Sequence, residues 1–185
     1  MRPRDLFERL APLVGPVLEA EFHRRDLCIL ASRVALDVCD YFGLHAEALP
    51  VRTVLYNREF AAAMEAGLRN PLDAPGAWSV GVGFPPREPL DRPGWAGHLV
   101  VAIDDLFGDF SIRQGERLDR GIVTGDALVG PRGMNLWRAT NDSGTVVEYR
   151  RTDDRAYRTA PDWKDSRRRK PISGKIIRAV LDTRC

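Results

Sequence analysis

The chain has 185 residues and a mass of 20.7 kDa, 44% hydrophobic and 29% charged. That is the size and balance of one globular domain, which excludes a fibrous or intrinsically disordered chain. The net charge of +2 is uneven: residues 150–185 carry twelve Lys and Arg against five Asp, a net +7, leaving −5 on the rest.

The reading is one domain over residues 1–185 with a basic C-terminal segment, 150–185. Apolar runs such as LVVAI at Leu99–Ile103 fall far short of the roughly 18 residues a membrane span needs. The opening MRPRDLFERL interrupts its apolar stripe with charge and lacks the core of a secretion signal. With three cysteines too few for a disulfide framework, a reduced, cytoplasmic protein is expected.

From Asp5 to Phe22, the residues Leu6, Leu10, Leu13, Val14, Val17 and Phe22 recur at helical spacing, and Pro12 and Pro16 are expected to divide them into two short helices. DLCILASRVALDVCDYFG is the clearest helix, with Asp26 as N-cap, Ala31, Val34, Ala35, Val38 and Phe42 on one broad face, and Gly43 at its end. VRTVLYN, Val51 to Asn57, reads as a strand and Glu59 to Leu68 as a helical insertion. Pro-, Gly- and charge-rich stretches at Asn70–Gly76 and Phe84–Gly94 read as loops flanking a strand at AWSVGV. HLVVAI is the next strand, with DFSI returning from a turn. TVVEYR is a later strand, and ISGKIIRAVL is a closing helix with Ile172, Ile176, Ile177 and Val180 on one face. Helices followed by a mostly antiparallel sheet define an α+β fold.

Cys28 stands in the first turn of the clearest helix, where unpaired N–H groups and the positive end of the helix dipole favour a thiolate and leave a backbone donor for an oxyanion. Most free cysteines are small core residues instead, and Cys39, deep in the same helix, is read as one. The two lie about 16 Å apart along that helix and cannot bridge each other. Cys185 is the last residue. His98 opens an apolar strand after Gly94 and Gly97, which leave room beside the imidazole. Asp109 follows eleven positions later. If the chain turns near Ile103 to Asp105, any register whose paired numbers sum to an odd value puts both on one face. A sum of 207 sets them directly opposite and 209 diagonally, both within reach, whereas 208 points them apart. A carboxylate so placed orients the imidazole and stabilises its protonated form.

Cysteine opening a helix that ends in FGLHAE, the strand PVRTVLYN, histidine opening a strand, and aspartate beginning DFSIRQ together resemble the transglutaminase-like branch of the papain-like cysteine enzymes. The resemblance covers about Asp26 to Gln114, roughly half the chain. It implies a papain-like domain whose Cys-bearing core helix packs on an antiparallel sheet, with Cys28 as nucleophile, His98 as base and acid, and Asp109 as orienter, acting on an amide or peptide bond of a protein or peptide. HRRDL before Cys28 lacks the Gly-Gly of the arylamine acetyltransferase relatives, and no Gln shortly precedes the cysteine as oxyanion donor; Trp95 and Gln114 are the candidate substitutes by proximity in sequence. The family includes peptidases, amidases, deamidases, crosslinking enzymes and inactive scaffolds, so the resemblance does not choose among them.

No metal or organic cofactor is implied. His23, His45 and His98 lack ligand spacing, Gly81-Val82-Gly83 lacks the rest of a dinucleotide fingerprint, and Ser173-Gly174-Lys175 lacks the upstream glycine of a phosphate loop. Two alternatives stand beside the enzyme. One is an inactive interaction module of the same fold. The other binds nucleic acid or an acidic partner through Arg167, Arg168, Arg169 and Lys170, with Trp163 and Tyr157 for stacking. The favoured reading of that basic run is a solvated loop before the last helix, since the −5 body repels a polyanion.

Overall fold

The structure is a computed structural model that describes residues 1–23, 27–84 and 95–182. Asp26, most of the Phe84–Gly94 loop and Cys185 lie outside the described residues. The N-terminal region forms α1 (Pro3–Leu10) and α2 (Val14–Phe22). Pro12 sits between them, while Pro16 falls in the first turn of α2, where the missing N–H has no intrahelical partner to lose. Helix α3 (Cys28–Tyr41) follows. It closes on Gly43 in the left-handed conformation, with Gly43 donating to Asp40 at 2.9 Å and Leu44 to Cys39 at 2.9 Å, a Schellman ending.

Strand β1 (Glu47–Tyr56) is the centre of the sheet. It begins four residues earlier than VRTVLYN and runs through Pro50, whose carbonyl accepts from the Thr152 N–H at 2.9 Å although its own nitrogen donates nothing. Asn57 then caps α4 (Arg58–Glu65), accepting from the Phe60 N–H at 3.1 Å. The remaining strands are β2 (Ser79–Val82), β3 (His98–Ile103), β4 (Leu106–Asp109), β5 (Leu128–Pro131), β6 (Leu136–Thr140) and β7 (Val146–Arg151). All pairings are antiparallel, in the order β5-β4-β3-β1-β7-β6, with β2 joined to β1 beyond the end of β3. The fold is therefore mixed α+β.

The sheet curls until it is nearly closed. Phe107 of β4 and Trp137 of β6 are separated in strand order by three strands, yet their ring centroids are 5.6 Å apart. Phe107, Trp137 and Tyr149 fill the concave side with Leu49, Val51, Leu55, Val100 and Ala102. The convex side carries α1, α2, α3 and α6 (Ser166–Asp182) on Val101, Ile103 and Leu106. Strand β3 is buried on both faces, which is why HLVVAI shows no polar alternation.

The structure departs from the sequence-based expectations in three places. The returning strand is Leu106–Asp109, not DFSI: the chain leaves the sheet after Asp109 and winds into a 3-10 turn at Ile112–Gly115. Strands β5 and β6, four and five residues long, have no counterpart in the sequence reading. The closing helix starts at Ser166, so Arg167–Lys170 is helical and not a loop. Arg169 turns inward, its Nε 2.5 Å from Asp37 of α3 and its Nη1 donating to the Trp163 carbonyl at 3.2 Å. Tyr157 is buried, with Trp163 at 4.8 Å and Trp95 at 5.4 Å between centroids, so its faces are occupied by protein. Among the described residues no helix is long and apolar enough to cross a membrane.

Candidate active site

The two-residue turn at Asp104 and Asp105 pairs Ile103 with Leu106 and Val101 with Gly108. These numbers sum to 209, the diagonal register. His98 at the start of β3 and Asp109 at the end of β4 therefore share the concave face, and His98 Nε2 lies 2.7 Å from Asp109 Oδ2. Both side chains are fully buried. The other carboxylate oxygen, Oδ1, accepts the Ser111 N–H at 3.1 Å and the Ser111 hydroxyl at 3.4 Å, while the Tyr149 hydroxyl donates to Oδ2 at 3.0 Å. A charge so far from water is tolerated only with such a set of donors.

Cys28 is the first residue of α3, one position nearer the helix start than capping by Asp26 implied, with Leu27 in the cap position. Its backbone N–H lies in the first turn, beyond the reach of any intrahelical carbonyl. The thiol is 8% exposed and donates to the Gly97 carbonyl at 3.8 Å. The sulfur lies close enough to His98 to bear on the ionisation of its ring. Burial by itself would lower the basicity of His98, but the Asp109 charge and hydrogen bond, then the hydrogen bond and charge of Cys28, outweigh it and push the imidazole up to about 10. The structure thus brings Cys28, His98 and Asp109 together.

The two further candidates part company. Gln114, carried by the 3-10 turn, places its side-chain amide against His98 Nδ1. Trp95 donates its indole N–H to Asp154 at 2.7 Å, so that donor is committed away from an oxyanion. Its ring instead roofs Gly97, where a Cβ would collide with it. Gly83, at φ +78° beyond the end of β2, packs against the His98 backbone, where a Cβ would come within 2.7 Å of the His98 nitrogen. Ser111 and Tyr149 were missed by the sequence reading. A serine two residues after an aspartate is a common side-chain-to-backbone turn and could have been noticed; Tyr149 comes from β7, 40 residues on, with no local signal. Cys39 is core, and burial pushes its thiol up to about 12. Among the described residues no group of three or more His, Cys, Asp or Glu is placed to hold a metal ion.

The raised imidazole makes stability depend on pH. His98 holds its proton more tightly folded, to about 10, than unfolded, near 6.5, so its contribution is complete below about pH 6.5 and is lost as pH rises through about 10. Urea unfolding at pH 6.5 and 10 is expected to show this loss in the wild type and a smaller one in His98→Gln.

No family model, no curated protein and no solved structure matches this chain.

Proposed function

We propose that the protein is a cysteine-dependent acyl-transfer enzyme of the transglutaminase-like, papain-like type, acting on an amide or peptide bond. The observation that supports this most is the buried His98–Asp109 pair at two strand ends, with Cys28 at a helix start beside it and the imidazole held toward its protonated form. His98 takes the Cys28 proton at Nδ1 once the Gln114 amide yields that nitrogen, and the sulfur attacks the carbonyl carbon to form a C–S bond. The C–N bond then breaks as His98 returns the proton to the departing amine. Water or a second amine then attacks the thioester, giving its proton to His98 and releasing the thiol. The Cys28 N–H, at the positive end of α3, suits the developing oxyanion.

Labelling with iodoacetamide at pH 6, read by peptide mass mapping, tests this reading. Cys28 of the wild type is expected to react at least about tenfold faster than in His98→Ala, because only the wild type has the imidazole that takes the thiol proton. Cys39 serves as the unreactive internal reference. Equal rates for Cys28 in both proteins would leave the same fold as an interaction module without acyl chemistry.

A further inference from the structure

Asp109 is bonded to more than the imidazole it orients. Its Oδ2 accepts from two donors at once, His98 at 2.7 Å and the Tyr149 hydroxyl at 3.0 Å, both in full burial. The direction of that hydroxyl is set by packing. The Tyr149 ring is stacked on Trp137 at 5.4 Å and 15° and meets Phe107 edge-on at 4.9 Å, all within the concave core. Register places Tyr149 there as well, since β7 pairs with β1 at Thr53↔Tyr149 and β1 pairs with β3 at Val51↔His98.

We propose that Tyr149 is a positioning residue of the site: it shares the carboxylate oxygen that holds His98, and by drawing off part of that oxygen's charge it sets how firmly the imidazole keeps its proton. The importance of this for catalysis rests on the acyl-transfer reading; the effect on the imidazole does not. The groups that face His98 are Asp109 from β4, Cys28 from α3 and the neutral amide of Gln114; those that face Asp109 are Tyr149 and Ser111. The phenol stays protonated and donating, because burial, then the Asp109 charge and hydrogen bond, raise it well above its ordinary value. A neutral donor stabilises the carboxylate more when the imidazole beside it is neutral than when it is charged. Losing that donor therefore favours the protonated imidazole.

The test is the titration of the His98 ring by nitrogen-15 NMR, which is assignable in a chain of three histidines by comparison with His98→Gln. Tyr149→Phe keeps the ring and is expected to raise the His98 midpoint by about one pH unit. Ser111→Ala should raise it by much less, because the backbone N–H still serves Oδ1. Replacing the four tyrosines with 3-fluorotyrosine, a stronger donor of nearly the same shape, should lower the midpoint, and keeps the proposal testable if Tyr149→Phe does not fold. A midpoint unmoved by Tyr149→Phe, or by fluorination where that variant is unfolded, would overturn the proposal. Labelling of Cys28 that is indifferent to His98 would remove the enzyme reading while leaving this result standing.

Discussion

Asp109→Ala is expected to destabilise the protein by about 3–5 kcal/mol, because it removes the charge that contributes most to holding the buried imidazole protonated and leaves several donors facing a void. The residue is fully buried and bonds to His98, Tyr149 and Ser111. Each of those groups lost water on folding and has no route back to it. Chemical denaturation measures the loss as a fall in midpoint at nearly unchanged slope. Asp109→Asn provides the contrast. It keeps the volume and an acceptor oxygen but removes the charge, so most of the fold should survive while the imidazole loses what holds it protonated. Labelling of Cys28 at pH 6 should then fall toward the His98→Ala rate. A variant Asp109→Ala as stable as the wild type would mean that the carboxylate is not the organising centre of the concave face.

Phe107→Ala is expected to cost about 3–5 kcal/mol by a different mechanism, the opening of a cavity that the surrounding core cannot fill. Phe107 is fully buried and touches both Trp137 and Tyr149, which belong to the strands at the far side of the curl. Those two rings are stacked on each other and held by their own strands, so they are poorly placed to collapse into the gap. The near-ultraviolet circular dichroism of the aromatic cluster should weaken in the same variant. Phe107→Leu, which restores part of the volume, should recover a good share of both signals. A cost near 1 kcal/mol would indicate that the site lies outside the tightly packed region.

Helix α3 and strand β3 were legible because their signals are local. A long run with a three-to-four-residue apolar period and a glycine ending specifies a helix whatever it packs on, and the five consecutive apolar residues Leu99–Ile103 specify a strand buried on both sides. Strands β5 and β6 were not legible. LVGP and LWRAT are too short for a period, and they are strands only because β4 and β7 offer them partners. The basic run at Arg167–Lys170 misled for a related reason. Charge suggested a solvated loop, but the helix extends through it and one of the four, Arg169, is drawn inward by Asp37 on another helix.

The chain's own order of residues determined that Cys28 would stand in the first turn of a helix and that His98 would open a buried strand, because helix starts and apolar runs are settled within a few residues; it left open the parity of the hairpin register, and so the face on which Asp109 stands. Tertiary structure alone decided that the register is the diagonal one, that Gln114 rather than Trp95 reaches the ring, and that a tyrosine from β7 completes the carboxylate's bonds. Those outcomes depend on how far the sheet curls and on which strands lie beside β1, and both follow from contacts between residues distant in the chain.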